Sequence, residues 1–403
     1  MSDATARWAF EASAAPAGKG FRIRTITLGL PLAAPDDLSA LDAAASFLAA
    51  ARARYADRGY EVQTLRLALP PLPALAGEHA LSRMIAPLRR LEKAAAARGL
   101  LLALGPLALD DAGADDIAAF AVDLAAATGT LCFSLPVADG RRGVAPARIA
   151  AAGEIIARIA DATPNGEGNF RFAATACCPP GIPFFPAAWH KGPAAFALGI
   201  ESPPLLRAAV ADGDRATAPE RIARALEAAL APVAEIAGTL AVENGAAFRG
   251  IDSSPAPLLD AGIAEIIECL SGAPFGSAGT LAACAAITEG LKRLRIGTCG
   301  FCGLMLPLLE DRLLARRAAE GRYGVRELLL YSSVCGTGLD TVPLAGDTPA
   351  TALSALIADM AALACRYDKP LAARLLPVPG KAAGERVAFD IPFLTDSVAL
   401  AVP

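Results

Sequence analysis

The segment FRIRTITLGL, residues 21–30, decides the fold class of this chain. Its apolar and polar side chains alternate and Pro31 ends it, which is the pattern of a β-strand. Asp36 and Asp37 then open an alanine-rich segment that ends at Gly59, as expected for a helix with acidic residues at its start and glycine after its end. A strand followed by such a helix predicts the first βα unit of an α/β protein.

The same alternation continues along the chain. Further strands are predicted at residues 61–69, 100–104, 130–135, 170–176, 194–200, 371–376 and 386–391. Helices are predicted at residues 81–98, 115–128, 145–162, 219–241, 261–270, 279–294, 310–320, 325–333 and 350–365. The early strands recur about every 35 residues, the length of a βα unit, and no linker rich in serine, glycine or proline divides the chain. We therefore expect an N-terminal tail at residues 1–20 and a single α/β domain at residues 21–403.

The composition excludes some classes of function. Of the 403 residues, 54% are hydrophobic and 19% are charged, so the chain can bury a large core. The 37 basic and 41 acidic residues give a net charge of -4, and no basic run predicts a nucleic-acid partner. No uncharged apolar run of about 20 residues predicts a membrane span, and the acidic N-terminus is unlike a signal peptide. We expect a cytoplasmic protein without a membrane or nucleic-acid partner.

Eight short blocks, spread along the chain in a fixed order, share one resemblance. They are FRIRTITLG (21–29), PFFPAAWHKG (183–192), ESP (201–203), AVE (241–243), IDSS (251–254), GSAGT (276–280), GLMLPLLED (303–311) and CGTGLDTVPLAGDTP (335–349). Together they resemble an uncharacterised prokaryotic family labelled pyruvate-formate-lyase-like. The resemblance implies a ten-stranded α/β barrel like that of glycyl-radical enzymes, surrounded by helices, with a site in or above the barrel interior. It implies no reaction.

Radical catalysis needs a glycine in a C-terminal loop, because only glycine gives a backbone-stabilised α-carbon radical. The segment ERVAFD, residues 385–390, faintly matches such a loop, but Phe389 stands where the glycine is required. The adjacent Cys177 and Cys178 match a pair that lyases of this type also use. We expect chemistry without a glycyl radical and keep the two cysteines as candidate substrate-binding residues.

His190 is the stronger catalytic candidate of the two histidines. It follows an aromatic and proline-rich loop, residues 183–189, a setting that would hold an imidazole rigidly beside a cleft. A side chain that titrates near neutrality is the usual general acid or base, although a hydrogen-bonded structural histidine fits equally well. Cys335, before Gly336 and Gly338, is a candidate nucleophile with His190 as its base; a buried structural cysteine is the alternative.

Carboxylates and an arginine complete the predicted site. Asp340 and Glu310 are candidate acid/base partners, or oxygen ligands for a cation. Arg24, on the first strand, would pair a substrate carboxylate, and an ion pair with one of these acids is the alternative. The other candidate substrate-binding residues are Ser202, Asp252 and Glu243, together with Cys177 and Cys178.

Cys299 and Cys302, in the sequence CGFC, have the spacing of a redox pair or of half a zinc site. No second pair at regular spacing accompanies them, and the alternative is that the glycines serve tight packing and the thiols have no role. No intact nucleotide-binding glycine motif occurs. The cofactor therefore stays open, and a metal ion is the kind that these cysteines suggest.

These residues predict an enzyme that acts on a small polar or anionic metabolite inside the barrel. The expected chemistry is acid/base or cysteine-assisted, of a lyase-like or transferase-like kind, without a glycyl radical. The alternative is a non-catalytic regulatory protein that binds a metabolite or a metal. Many alanine and leucine faces also favour a homodimer.

Overall fold

Strands and helices alternate through the part of the chain that the computed structural model describes, residues 19–77, 79–111 and 114–403. The strands are β1 (Arg22–Gly29), β2 (Val62–Ala68), β3 (Leu100–Pro106), β4 (Cys132–Asp139), β5 (Gly143–Val144), β6 (Phe172–Ala176), β7 (Ala195–Glu201), β8 (Ala247–Pro255), β9 (Gly338–Ala345), β10 (Leu371–Val378), β11 (Arg386–Val387) and β12 (Ser397–Val398). The α-helices are α1 (Leu38–Ala56), α2 (Leu72–Ala76), α3 (Ile85–Ala96), α4 (Ala114–Ala127), α5 (Pro146–Ala162), α6 (Pro203–Ala209), α7 (Ala218–Asn244), α8 (Ala264–Ser271), α9 (Thr280–Lys292), α10 (Arg312–Ala319), α11 (Val325–Tyr331) and α12 (Ala350–Tyr367). Short 3-10 turns lie at Leu81–Arg83, Pro164–Arg171 and Leu308–Glu310.

Ten of the strands form one mixed, mostly parallel sheet. Its order is β8-β7-β1-β2-β3-β4-β6-β10-β9, with β5 paired to β4. Neighbouring strands run parallel except for the pairs β1–β7, β6–β10 and β4–β5. Helices pack on the sheet through a continuous hydrophobic core. The α/β class is as predicted, and the sheet has the ten strands that the resemblance implied. Of the predicted tail only residues 19 and 20 are described.

The predicted barrel is not found as a closed ring of paired strands. In the described residues β8 and β9 are the two ends of the sheet, and no ladder joins them. Isolated bridges instead link Ile251 of β8 to Thr298, and Asp340 of β9 to Pro307. The segment between the two ends contains Gly300, at a φ of 83°, and such glycines interrupt the regular pairing that a further strand would need.

Most predicted elements are confirmed within a few residues, but β8 and β9 were not predicted. Gly250 in β8 and Gly338 in β9 have φ values of 130° and 90°, and Pro343 lies inside β9. Residues of these types are rare in regular strands, so both segments look like loops in sequence. The predicted strand at 386–391 is confined to Arg386–Val387.

Two acids that begin helices illustrate why the elements start where they do. The Asp37 carboxylate accepts a hydrogen bond from the Ala40 N–H at 3.0 Å and begins α1. Asp311 accepts from the Leu313 N–H at the start of α10, and its other oxygen accepts from the Ile263 N–H at 2.7 Å, beside the start of α8. One buried carboxylate therefore fixes two helix starts, which explains its position at the end of a conspicuous motif.

By length and composition alone, two helices are long and apolar enough to cross a membrane, α7 and α12. The expectation from the sequence was that no segment would meet this criterion. Each has one face in the core, where Leu226 and Leu230 of α7 and Leu353 and Ile357 of α12 are buried. Core helices of soluble proteins pass the same criterion, so the expected absence of a membrane partner stays a prediction.

Candidate functional site

A central cavity of about 90 Å³ lies against the sheet and has room for several water molecules. Seven strands contribute to its lining, from β1 through β4 and from β6, β9 and β10, so the sheet wraps around it. The strands supply, in that order, Arg24, Arg66, Leu101, Cys132, Ala173, Asp340, and the pair Ala372 and Arg374. Three arginines and two carboxylates, Asp340 and Glu310, therefore share one cavity.

A β-bulge brings Arg24 to the cavity. In the pairing of β1 with β7, Ile23 lies opposite Ile200 but Thr25 lies opposite Gly199, so Arg24 is an extra residue without a partner position. A bulge changes the face on which following side chains lie. Arg24 and Arg22 both contact the buried Glu201: the Arg22 Nη2 to Glu201 Oε1 distance is 2.7 Å, and the Arg24 contact is 3.4 Å.

Arg374 holds both cavity carboxylates. Its Nη2 donates to Glu310 Oε1 at 2.7 Å, and its Nε donates to Asp340 Oδ1 at 2.7 Å. Burial raises the pKa of Glu310, and the attraction of Arg374 opposes that shift. For Arg374, burial lowers the pKa but the two acids outweigh it, leaving the pKa raised. The three side chains form one ion-paired group with Arg24, whose Nη2 is 3.8 Å from Glu310 Oε2.

Arg66 is the exception among the cavity arginines. Its Nε donates to Thr64 Oγ1 at 3.0 Å and its guanidinium lies 4.9 Å from the centre of the Phe185 ring. Within the described residues no carboxylate forms a salt bridge with it, although it is only 8% exposed. Burial and the like charge of Arg24 lower the pKa of Arg66 to about 9, so it is still protonated at neutral pH.

The rest of the lining is apolar, with one notable hydroxyl. Phe184, Phe301 and Met305 belong to a small buried cluster at the cavity wall. Thr337 also lines the cavity, and its buried Oγ1 has no hydrogen-bond partner in the described part of the protein. An unsatisfied buried hydroxyl costs free energy, so this atom is suited to a ligand or to water.

Of the predicted catalytic residues, Glu310 and Asp340 lie in the cavity but His190 and Cys335 do not. His190 lines a separate cavity with Cys299 and Arg249, and its Nε2 is 2.8 Å from the Gly192 carbonyl oxygen. Burial lowers its pKa. No hydrogen bond within the described ranges joins His190 to Cys335 or to any acid named above. The predicted nucleophile and base are therefore not brought together.

Cys335 lies in the hydrophobic core, 1% exposed, at the end of the turn after α11. Lys369 caps this turn, because its Nζ donates to the carbonyl oxygens of Ser332, Ser333 and Cys335 at 2.6–3.0 Å. An ammonium group at the end of a helix satisfies carbonyls that have no partner in the helix. The surroundings of Cys335 thus match the alternative of a structural cysteine.

Asp252 organises the loop that follows Thr298 and lies outside the cavity lining. Its carboxylate accepts hydrogen bonds from the N–H groups of Phe301 at 2.8 Å and Cys302 at 3.0 Å. It also accepts from the Ser254 hydroxyl at 2.6 Å. Because every one of these contacts is inside the protein, Asp252 has a structural role in this arrangement.

Replacing Asp252 with alanine should therefore destabilise the protein. The change leaves the Phe301 and Cys302 N–H groups without their acceptor, and we expect a loss of about 3 kcal/mol of unfolding free energy. Urea unfolding followed by circular dichroism measures it. Asp260→Ala is the control, because Asp260 pairs with Arg312 on the surface and its loss should change stability by less than about 0.5 kcal/mol. Equal effects of the two changes would contradict the structural role.

Four other predicted binding residues lie away from the cavity lining. Glu243 forms a surface ion pair with Arg54 at 2.9 Å. Ser202 is buried at the end of β7, and Cys178 donates to the Leu371 carbonyl. Burial raises the pKa of Cys177 to about 12. None of these four contributes a side chain to the cavity.

Cys299 and Cys302 are not joined by further metal ligands. In the residues that the structure describes, no group of three or more histidine, cysteine, aspartate or glutamate side chains is placed to hold a metal ion. The Cys302 thiol donates to the Cys299 carbonyl at 3.1 Å, and burial raises its pKa to about 11. This geometry gives a zinc site no support and matches a packing role.

Arg66, Arg374, Cys132 and Thr337 were not among the predicted site residues. The signal for both arginines was present, because each is the one charged residue in a run of apolar and small residues within a strand, LRLAL at 65–69 and LAARLL at 371–376. A buried strand rarely contains a charge unless the charge has a partner or a function. Thr337 carries no such local signal.

Comparison with known proteins finds relatives that are similar to this chain in amino-acid sequence. The model of the family described as "Uncharacterised ACR (DUF711)" matches residues 17–390. A UPF0210 protein of Oleidesulfovibrio alaskensis is 31% identical over 297 residues, which cover 69% of this chain and 64% of the relative. One from Desulforudis audaxviator is 31% identical over 343 residues, covering 80% and 75%, and one from Pyrobaculum arsenaticum is 34% identical over 228 residues, covering 53% and 51%. The matched part thus spans half to three quarters of the length of these relatives.

Proposed function

The chain belongs to the DUF711 family, which includes the UPF0210 proteins, and from the cavity described above we propose that it binds a small anionic metabolite and acts on it by acid/base chemistry. The observation that carries this proposal is Arg66. A buried guanidinium without a carboxylate partner costs free energy in the ligand-free protein, and an anion with two oxygens would relieve that cost through paired hydrogen bonds.

Glu310 is the best candidate for the acid or base. It lines the same cavity as Arg66, and burial raises its pKa above the usual value of a glutamate, which is the direction that favours a proton donor. Cys132 is the cysteine of this cavity, but burial raises the pKa of its thiol to about 11, so it is protonated at neutral pH. A protonated thiol is a poor nucleophile, which favours acid/base over cysteine-assisted chemistry.

We expect Glu310→Gln to bind the anion but to lose turnover. The isosteric amide keeps the size of the side chain and a hydrogen bond from Arg374, but it cannot exchange a proton, so the rate should fall by about 100-fold or more. Calorimetric titration with small carboxylates and phosphates first identifies anions that bind. Exchange of their C–H hydrogens for deuterium, followed by NMR, then compares wild type with the variant.

Glu320→Gln is the matched control, because Glu320 is paired with Arg317 at the surface. It should exchange the C–H hydrogens of the ligand for deuterium at the wild-type rate. If Glu310→Gln exchanges the C–H hydrogens of the ligand at the wild-type rate, Glu310 takes no part in the chemistry. If neither wild type nor the variant exchanges them, the non-catalytic alternative is favoured.

A regulatory protein that binds a metabolite is the second candidate function. The observation in its favour is that both cavity carboxylates are already paired with Arg374. Acids held in this way serve to fix a binding pocket as readily as to move protons. Tight binding of an anion without any turnover would establish this alternative.

The architecture of the pyruvate-formate-lyase-like barrel also stands as a proposal. Ten strands and a central cavity that seven of them line are compatible with it. In this proposal the segment from Thr298 to Pro307, bridged to β8 and to β9, completes the wall where no regular strand is formed. The homodimer and the cytoplasmic location likewise remain predictions, and light scattering of the purified protein tests the first.

A further inference from the structure

The geometry points to a specific class of ligand for this cavity: a monocarboxylate with an apolar body, whose carboxylate binds Arg66 and Thr337. The inference rests on the proposed function and adds the charge and the shape of the ligand. Three features of the cavity carry it, namely the net charge of its lining, two side chains with donors left for a ligand, and its apolar wall.

The charge of the lining matches an anion with one negative charge. Arg24, Arg66 and Arg374 supply three positive charges, and Glu310 and Asp340 supply two negative charges, which leaves a net charge of one. A phosphate monoester carries about -1.5 to -2 at neutral pH and would leave an excess of negative charge beside the two acids. A second negative charge close to a carboxylate in a poorly hydrated site is costly. A single carboxylate balances the charge of these five lining side chains.

Two polar side chains of the lining have donors available for a planar carboxylate. The Arg66 guanidinium lies against the Phe185 ring, and its two Nη atoms find no hydrogen-bond partner in the described ranges of the chain. A guanidinium binds a carboxylate through two parallel hydrogen bonds. The Thr337 hydroxyl lines the same cavity, is buried and has no partner, so it is available to donate to the ligand.

The remaining wall favours an apolar body. Phe170, Phe184, Phe301, Met305 and Phe393 line the cavity. A sugar or a polyhydroxylated acid would leave its hydroxyl groups without partners against these side chains, and each buried hydroxyl without a hydrogen bond is unfavourable. A small branched or aromatic body instead gains from burial of its apolar surface.

Calorimetric titration of the full chain with a matched set of compounds tests the inference. The set contains isovalerate and benzoate, the short carboxylate acetate, the dicarboxylate succinate, inorganic phosphate, and benzamide as a neutral analogue. We expect isovalerate or benzoate to bind at least tenfold more tightly than acetate, because of apolar burial, and at least tenfold more tightly than succinate or phosphate. Benzamide should bind at least 100-fold more weakly than benzoate.

Two variants separate the contributions. Thr337→Val should weaken the affinity for benzoate about tenfold without changing the order of affinities in the set. The exposed control Thr239→Val should leave the affinity for benzoate unchanged. Glu310→Gln raises the net charge of the lining by one and should shift the preference towards succinate by at least tenfold.

The outcomes distinguish this inference from the function on which it rests. If wild type binds phosphate or succinate most tightly and Arg66→Met does not bind it, the anion site is supported. The inference that the ligand is a monocarboxylate is then overturned. Binding of benzamide as tightly as benzoate would also overturn it. No binding of any anion in the set, or binding unaffected by Arg66→Met, would overturn both.

Discussion

Arg66→Met should weaken anion binding strongly while leaving the ligand-free protein at least as stable as wild type. Methionine keeps an apolar stem of similar length in β2, and it removes a buried positive charge that has no carboxylate partner in the described residues. Replacing a whole buried ion pair by apolar residues is often neutral or stabilising by about 1–4 kcal/mol, and a buried charge without a counter-ion is costly to keep in the folded protein. Truncating one partner of a buried charged contact costs about 2–5 kcal/mol of binding, which corresponds to a loss of affinity of at least about 30-fold.

Thermal unfolding with and without a bound anion measures both effects. Ligand should raise the midpoint of wild type but not that of the variant, because a ligand stabilises only the state that binds it. Arg54→Met, at the surface pair with Glu243, is the control and should respond to ligand as wild type does. If the ligand-free Arg66→Met protein has lost several kcal/mol of unfolding free energy, Arg66 supports the fold and the proposal is contradicted.

Arg374→Met should have the opposite consequence and strongly destabilise the protein. Arg374 contacts both the buried Glu310 and the half-buried Asp340 at 2.6–2.7 Å, so its loss removes the nearest counter-charge of two neighbouring carboxylates. Arg24, 3.8 Å from Glu310, is a weaker partner for that acid. Breaking a buried ion pair by removing one partner costs about 3–5 kcal/mol. Arg66 and Arg374 thus differ in the sign of their effect on stability, because Arg374 is paired with carboxylates and Arg66 is not.

The loss of unfolding free energy in Arg374→Met should become smaller as the pH falls. Burial already raises the pKa of Glu310, and removal of Arg374 takes away an attraction that lowers it. A carboxylic acid with a raised pKa in the folded state binds more protons than the unfolded chain does, so stability falls as pH rises through that range and recovers below it. Urea unfolding between about pH 5 and pH 8 follows this trend.

A compensating variant checks the cause of this loss. Arg374→Met combined with Glu310→Gln and Asp340→Asn should recover most of the lost stability, since the two acids that lost their arginine are then neutral. Arg207→Met, at an exposed ion pair with Glu265, should cost less than about 0.5 kcal/mol. A triple variant as unstable as Arg374→Met would show that packing of the arginine, and not its charge, is what matters.

Local patterns predicted the elements of this fold well where side chains of one kind recur with the period of a helix or a strand. The prediction failed for β8 and β9, where Gly250, Gly338 and Pro343 interrupt the pattern. Pairing with β7 and β10 holds these segments extended despite their composition. Contacts with a neighbouring strand override weak local preference, and such contacts cannot be read from one segment alone.

The candidate site was predicted in part for the same reason. Arg24, Glu310 and Asp340 stood out as charges at strands and tight turns, and the structure places all three in one cavity. The pairing of His190 with Cys335 depended on distance in space, and the two lie in different surroundings. A residue type indicates what chemistry a side chain can do, but its partners depend on which strands lie side by side.

The sequence by itself determined the α/β class, the order of most strands and helices, and which residues carry charge inside apolar strands. These properties depend on contacts within a few residues, where periodicity and capping act. Only the tertiary structure decided that β1, β2, β9 and β10 surround a common cavity, that Arg374 is paired and that Arg66 is not. The free energy of a buried charge depends on its neighbours in space, and residues 66 and 374 acquire those neighbours only when the sheet has formed.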